Sequence, residues 1–262
     1  MATVSSLRAA ASAASAAPPR IALARRVAAE GIGTAMLIAV VIGSGIHAHR
    51  LSGGDATWTL LAQSLAGGAG LFALLTIFGP VSGAHLNPAV TLSAVLKGRL
   101  RGDEALAYVV GQLAGAALGV AAAHAMYGMP AWAVGTHALS GSALWWSEAL
   151  ATFGLIGVGI ACGRHAPGQL PLAVAAYIAA GYWFTASSSL ANPALALACV
   201  LTDGPSGIRP GDAAGYMLAQ LAGTLLATPL FTWLVGGETT NTSAAAGAPA
   251  PTLPMPARRR AG

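Results

Sequence analysis

The segment Ser82-Gly-Ala-His-Leu-Asn-Pro-Ala-Val-Thr-Leu92 is the most informative part of this chain. It contains the tripeptide Asn87, Pro88, Ala89, which recurs as Asn192, Pro193, Ala194. The chain has three asparagines, and two of them stand in these tripeptides. Each tripeptide lies in a stretch without Asp, Glu, Lys or Arg, at residues 56–96 and residues 165–202.

These uncharged stretches predict a membrane-spanning helix followed by a re-entrant segment. A spanning helix needs about 20 apolar residues. Each stretch is longer than one span, yet two full spans would leave no polar turn between them. One span plus a shorter piece that enters and leaves on the same side fits both stretches, and this pairing indicates a pore.

The composition indicates an integral membrane protein. Charged residues make up 8% of the chain, whereas a soluble domain carries about 25%. The net charge of +5 does not predict nucleic-acid binding, because the basic residues sit at segment ends and form no folded patch. Cys162 and Cys199 have no metal-binding spacing and are expected to be small buried hydrophobes. We expect no metal and no cofactor.

Hydrophobic runs predict six spans, and charge predicts their orientation. An even number of spans places both termini on one side of the membrane. Every Lys and Arg except Arg50 and Arg209 lies on that side, so the positive-inside rule predicts cytoplasmic termini. The predicted spans are residues 27–47, 56–78, 105–126, 143–163, 170–186 and 213–235.

The predicted organisation is one channel domain between two tails. The domain covers residues 26–236, with repeats at about 26–127 and 143–236. Residues 1–25 and 237–262 are rich in small residues and are predicted to be disordered cytoplasmic tails. A transit peptide is the alternative for the first 20 residues.

The two halves of the chain form an inverted repeat. Glu30-Gly-Ile-Gly-Thr34 matches Glu148-Ala-Leu-Ala-Thr152, and Gly111-Gln-Leu-Ala-Gly-Ala116 matches Ala219-Gln-Leu-Ala-Gly-Thr224. The tripeptides fall between these anchors in both halves. Each half holds three spans, an odd number, so the second half enters the membrane upside down. Functional sites in inverted-repeat membrane proteins lie near the midplane between the repeats.

Each tripeptide predicts the start of a short helix. Asn is a strong N-cap, and Pro suits the first helical position, which needs no N–H. The run at residues 89–96 would extend about 12 Å at 1.5 Å per residue, less than half of a core about 30 Å thick. Two such half-helices would meet at the midplane with their positive dipole ends together. The irregular loops before them, at residues 81–86 and 187–191, would line a wet cavity.

Together these residues resemble the aquaporin and aquaglyceroporin (major intrinsic protein) family over about residues 26–236. The resemblance implies an all-α membrane protein with six transmembrane helices and two re-entrant half-helices. It further implies a pore in each protomer, a homotetramer in the lipid bilayer, and passive conduction of water or small neutral solutes. No catalytic constellation is present, so we do not expect an enzyme.

The resemblance also implies roles for individual residues. The amides of Asn87 and Asn192 would donate to the passing molecule, and the buried Glu30 and Glu148 would hold the re-entrant loops. Without the resemblance, an intramembrane acid would suggest a proton relay. The expected pore-lining loop residues are Gly83, Ala84, His85, Ser187 and Ser188.

The selectivity filter departs from the family pattern. Counting from the motif asparagines places its four positions at Gly67, Ala180, Ser189 and Leu195, with Gly181 in place of Ala180 if the count shifts by one. The first position usually holds an aromatic ring and the last an arginine. We therefore predict a wide apolar filter that passes glycerol, urea and undissociated metalloid or organo-metalloid acids, and also water. The alternative is that Tyr182, Trp183 or Phe184 refills the space.

Other functions remain open from the sequence. One is an ordinary water-selective channel, and another is a structural membrane protein with an occluded pore. An ion-coupled secondary transporter also has inverted repeats and broken helices, but only Glu30 and Glu148 are ionisable within the spans. The Ala- and Arg-rich composition favours a bacterial inner membrane. His85 is expected to be structural rather than a pH gate, and the other histidines interfacial: His47, His49, His124, His137 and His165.

Overall fold

The computed structural model describes residues 21–236. The predicted C-terminal tail and most of the predicted N-terminal tail lie outside the described residues. The N-terminal boundary differs from the prediction, because the first helix already begins at Leu23, inside the segment 1–25.

The described chain is built from helices arranged as two equivalent halves. The first half contains α1 (Leu23–Leu51), α2 (Ala56–Ser82), the short α3 (Pro88–Leu96) and α4 (Gly102–Met126). The second half contains α5 (Ser142–His165), α6 (Leu170–Phe184), the short α7 (Pro193–Val200) and α8 (Pro210–Leu234), with a 3₁₀ turn (Pro167–Gln169) before α6. No strand occurs within residues 21–236.

Every predicted span coincides with one of the longer helices. The helices α1, α2, α4, α5 and α8 are long and apolar enough to cross a membrane. Helix α6 has 15 residues, and the fifth span was predicted to be short because a re-entrant segment follows it. Helix α1 extends beyond the predicted span at both ends, because Arg25, Arg26, His49 and Arg50 are part of the helix.

The main helix–helix contact is equivalent in the two halves. Helix α1 packs on α4, and α5 packs on α8 in the equivalent way. A Cβ on Gly115 would collide with the backbone carbonyl of Gly31, and a Cβ on Gly223 would collide with that of Ala149. The repeated Gln-Leu-Ala-Gly motif therefore supplies a glycine where two helix backbones touch, which is a common device of helix packing in lipid.

Each half-helix packs against the long helix that follows it and also against the opposite half of the chain. Helix α3 packs on α8, α7 packs on α4, and α3 and α7 also contact each other. This exchange brings the two short helices together in the interior of the bundle.

Candidate functional site

The two motif asparagines are the N-caps of the half-helices, as predicted. Asn87 and Asn192 have extended backbones, with φ of −161° and −154°. The Oδ1 atom of Asn87 accepts a hydrogen bond from the backbone N–H of Ala89 at 2.8 Å, and that of Asn192 accepts from Ala194 at 2.9 Å. Each Asn side chain thereby satisfies an orphan N–H at a helix start.

The asparagines also connect the two re-entrant loops. The amide Nδ2 of Asn87 donates to the carbonyl of Ala191 at 2.8 Å, and that of Asn192 donates to the carbonyl of Leu86 at 2.9 Å. A side-chain amide has two N–H donors. One N–H of each asparagine is therefore left without a partner among the described residues, and both side chains line the cavity described below.

Glu30 holds the first re-entrant loop. Its carboxylate is completely buried. Oε1 accepts from the hydroxyl of Ser82 at 2.6 Å and the N–H of His85 at 2.9 Å. Oε2 accepts from the N–H of Leu86 at 2.6 Å and the amide of Gln112 at 2.8 Å.

Glu148 holds the second loop with the same pattern. Oε1 accepts from the hydroxyl of Ser187 at 2.5 Å and the N–H of Leu190 at 2.9 Å. Oε2 accepts from the N–H of Ala191 at 2.9 Å and the amide of Gln220 at 2.6 Å. A carboxylate offers about four lone-pair sites, so the acceptor capacity of each acid is filled by its re-entrant loop and one glutamine.

The glutamine partners were missed at the sequence level. Gln112 and Gln220 are completely buried, and each donates to the glutamate of its own half. The signal was available, because both occupy the same place in the repeated Gln-Leu-Ala-Gly motif. A buried polar residue that recurs beside a buried acid in an inverted repeat indicates a hydrogen-bonded pair.

The loops contain strained backbone at matching positions. Ala84 and Leu86 have φ of 45° and 49°, and Ser189 and Ala191 have φ of 53° and 47°. These residues lie three and one positions before the two asparagines. The left-handed region costs a non-glycine residue roughly 1–2 kcal/mol. The bonds to Glu30 and Glu148 hold the loops in this conformation.

A cavity of about 760 Å³ runs along the half-helices. Of the predicted site residues, its wall contains Gly67, Gly83, Ala84, His85, Asn87, Ser189, Asn192 and Leu195. Ser187 and Ser188, also predicted as lining residues, are not among the residues of this wall. Ser187 is turned toward Glu148 instead, and Leu190 and Ala191 form the wall of the second loop.

The assignment of Ala180 to the filter is also wrong. Ala180 is exposed on the outer face of α6. Residues one helical turn apart share a face, and the face of α6 toward the cavity carries Val174, Ile178 and Tyr182. The neighbouring Gly181 is buried, and a Cβ there would lie 2.5 Å from the hydroxyl of Ser189. Gly181, the residue given by the shifted count, therefore lies beside Ser189 and leaves room for it.

Tyr182 fills the space beside Gly67. A Cβ on Gly67 would lie 3.3 Å from the Tyr182 hydroxyl oxygen and 3.7 Å from Cγ2 of Val41. Tyr182 is 7% exposed and lines the cavity. Tyr182 is thus in the place that the alternative gave to a nearby aromatic side chain, and it adds a hydroxyl to the wall near Gly67.

Leu195 lies in the wall of the cavity at the first turn of α7. It is 6% exposed, and no charged residue lines the cavity beside it: the arginines and the lysine of the wall belong to α1 and to the loop after α3. A neutral apolar group thus stands where the family pattern has a guanidinium.

Comparison with known proteins identifies the family. The family model described as Major intrinsic protein matches residues 19–164. The chain belongs to the major intrinsic protein family. The aquaglyceroporin AqpS of Rhizobium meliloti (strain 1021) is 47% identical over 213 residues, which cover 81% of this chain and 91% of that protein.

Two further relatives agree with this assignment. The probable aquaporin TIP1-1 of Oryza sativa subsp. japonica is 34% identical over 133 residues, 49% of this chain and 52% of that protein. The crystal structure of the aquaglyceroporin from Plasmodium falciparum superposes with a TM-score of 0.61 at 22% identity, over 81% of this chain and 95% of that chain. The protein is therefore a multi-pass membrane channel with the fold of this family.

The histidines of this major intrinsic protein occupy two different environments. His85 lies in the cavity wall, where its Nδ1 is 3.1 Å from the Thr91 hydroxyl and its ring contacts the edge of Tyr108. His124 was predicted to be interfacial, and this is wrong. It is completely buried, with its ring nitrogens 2.7 Å from the carbonyl of Pro130 and 2.8 Å from the hydroxyl of Thr202, because the loops after α4 and α7 close over it.

Proposed function

We propose that this channel conducts small neutral solutes larger than water, such as glycerol, urea and undissociated metalloid or organo-metalloid acids, and that water also passes. The observation that carries the proposal is Leu195 in the cavity wall, at the position where an arginine is the family pattern. The aquaglyceroporin name of the relative from Rhizobium meliloti supports the same class of solute.

The chemistry of the wall suits a solute with both polar and apolar surface. Selectivity for water needs a narrow ring of donors and acceptors that replaces lost hydration. Here Val41 and Leu195 are apolar, whereas Tyr182 and the free amide N–H groups of Asn87 and Asn192 are polar. A polyol can place its carbon skeleton against the apolar side chains and direct its hydroxyls toward the polar groups.

The proposed solutes are neutral because two half-helices begin at the centre of the cavity. Each helix N-terminus carries about half a positive charge. With the starts of α3 and α7 connected through Asn87 and Asn192, both ends repel protons and cations at this point. This barrier is independent of the filter arginine that the chain lacks.

Two alternative functions are less well supported. An ion-coupled transporter needs a group that binds the coupling ion, but Glu30 and Glu148 already accept hydrogen bonds on both oxygens. A strictly water-selective channel is less well supported, because Leu195 supplies no hydrogen-bond donor to a passing water molecule. Catalysis is not part of the proposal.

The cellular setting is also a proposal. Large apolar side chains such as Trp146, Leu218 and Trp233 are exposed on the bundle and fit contact with lipid or with further subunits. We propose a homotetramer in a bacterial inner membrane, with both termini in the cytoplasm. The positive-inside distribution of Lys and Arg supports this orientation.

Light scattering of proteoliposomes after rapid mixing tests the proposal. The purified protein should raise glycerol and urea permeability well above that of empty liposomes, without saturation and without dependence on a proton or sodium gradient. Glycerol and urea permeability at the level of empty liposomes, with water permeability raised, would identify a water channel. Uptake that saturates and follows an ion gradient would identify a transporter.

A further inference from the structure

The charges in the cavity wall all have the same sign. Arg26, Lys97 and Arg99 line the cavity, and none of the described lining residues is Asp or Glu. Arg26 lies near the start of α1, and the other two follow the end of α3, so all three stand at one mouth. We call the mouth formed by Arg26, Lys97, Arg99 and Tyr108 the cationic vestibule.

Two of these cations are without a partner in the part of the chain that the structure describes. The side chains of Lys97 and Arg99 form no hydrogen bond and no ion pair within residues 21–236. Lys97 is half-buried and Arg99 is exposed. Burial and the repulsion from the nearby Arg99 lower the pKa of Lys97 to about 8.

Arg26 is fixed in its position. It forms an ion pair with Glu104 and donates to the hydroxyl of Tyr108 at 3.4 Å. Tyr108 in turn donates to the carbonyl of Ser82 at 2.9 Å, at the end of α2. The vestibule thus combines a fixed guanidinium and a buried phenol with two cations whose side chains have no partner among the described residues.

We propose that the cationic vestibule binds a small oxyanion of the phosphate or sulfate type, and that the bound oxyanion obstructs the path of neutral solutes. This inference rests on the proposed function. A mouth lined by one sign of charge raises the local concentration of counter-ions, and Arg and Lys are the side chains that bind phosphate oxygens by charge-assisted hydrogen bonds.

The bound anion cannot continue through the channel. Beyond the asparagines the wall consists of Val41, Leu195 and other uncharged residues, and an ion that enters an apolar passage loses hydration that nothing there replaces. The vestibule therefore retains anions that the filter rejects, and a retained anion occupies the route of the neutral solute.

The test measures glycerol efflux from proteoliposomes of zwitterionic lipid, with phosphate on both sides and chloride at equal ionic strength as the reference. Phosphate should slow glycerol flux in the unmodified protein. Lys97→Gln should raise the half-inhibiting phosphate concentration about tenfold, the effect of losing one charge-assisted bond. Arg101→Gln is the matched control: Arg101 is exposed, pairs with Asp103 and lies outside the cavity wall, and its loss should leave the inhibition unchanged.

The outcomes separate this inference from the proposed function. Robust glycerol flux that phosphate does not slow, or equal inhibition in both variants, overturns the vestibule site. Absence of glycerol flux overturns the proposed function instead. The site is then tested by thermal unfolding in detergent, where phosphate should stabilise the protein and Lys97→Gln should abolish the stabilisation.

The phosphate group could also belong to a lipid. Vesicles that contain phosphatidylglycerol distinguish this source from the soluble ion. If a headgroup occupies the vestibule, soluble phosphate slows flux in zwitterionic vesicles and has no effect in anionic ones. Inhibition that is equal in both vesicle types assigns the site to the soluble oxyanion.

Discussion

The hydroxyl oxygen of Tyr182 lies 3.3 Å from the position that a Cβ on Gly67 would occupy. Helix α2 contributes Gly67 and helix α6 contributes Tyr182, so the two belong to opposite halves of the inverted repeat. The aromatic side chain that the family pattern places on α2 is thus supplied here by α6. It also brings a hydroxyl group, which has no hydrogen-bond partner among the described residues.

Changing Tyr182 should alter which polyols pass. Tyr182→Phe keeps the ring and removes the hydroxyl, so glycerol permeability should fall relative to water permeability. Tyr182→Ala removes the ring and should admit polyols larger than glycerol, such as xylitol. Light scattering with each solute measures both effects. Truncating a buried aromatic residue lowers the free energy of unfolding by about 3–5 kcal/mol. If the Ala variant does not fold for this reason, the Phe variant still tests the prediction.

Replacing Leu195 by arginine should restore a narrower and more polar filter. Leu195→Arg is expected to lower glycerol and urea flux several-fold while water flux persists, because the guanidinium occupies the lumen and donates to water. Leu195→Met is the control, since it conserves volume without adding charge. Equal glycerol flux in the Arg variant and the parent protein would mean that residue 195 does not line the constriction.

A negative charge at the centre should weaken the barrier to cations. In Asn192→Asp the carboxylate would stand beside the positive ends of α3 and α7 and offset their partial charges. Conductance of reconstituted bilayers should then show a cation current that the parent protein lacks. Asn87→Asp is the symmetry-matched variant and should behave in the same way. A current in neither variant would place the cation barrier elsewhere in the cavity.

The buried glutamates should contribute to stability rather than to transport chemistry. Glu148→Gln replaces an acceptor oxygen by an NH₂ group that faces the N–H of Leu190 or Ala191. A buried donor without an acceptor costs about 1–3 kcal/mol, so the thermal unfolding temperature should drop. Glu30→Gln should produce a similar drop. Asp55→Asn, an exposed N-cap of α2, should leave the unfolding temperature nearly unchanged.

The features that recur in both halves of the chain could be predicted from the sequence. The residues that a single helix turns toward the cavity could not. The half-helices followed from Asn87 and Asn192, because capping is a local pattern. The role of Glu30 and Glu148 followed from the family resemblance, with which their symmetric placement in the repeat agrees. Ala180 was misplaced because counting residues back from Asn192 does not show which face of α6 a residue occupies. The rotation of α6 about its axis depends on the loop between α6 and α7. The cationic vestibule was not predicted either, since Arg26 and Lys97 are far apart in the sequence and line the same cavity only in the folded bundle.

Inhibition by sulfate should depend on pH through Lys97. Sulfate keeps its charge between pH 6 and 9, so a change in inhibition reports on the protein. Burial and Arg99 lower the pKa of Lys97 to about 8. Below that pH the ammonium is charged and binds the anion; above it the neutral amine does not. Sulfate should therefore slow glycerol flux strongly near pH 7 and weakly near pH 9.

The control must separate Lys97 from the other groups at the vestibule. Those groups are Arg26, Arg99, Glu104, His85 and Tyr108. Lys97→Arg keeps a positive charge throughout the range, because a guanidinium is not deprotonated in proteins. Glycerol flux through this variant should be slowed by sulfate equally at pH 7 and pH 9. If the variant retains the pH dependence of the parent protein, the titrating group is another member of the cluster and Lys97 is not the one that binds the anion.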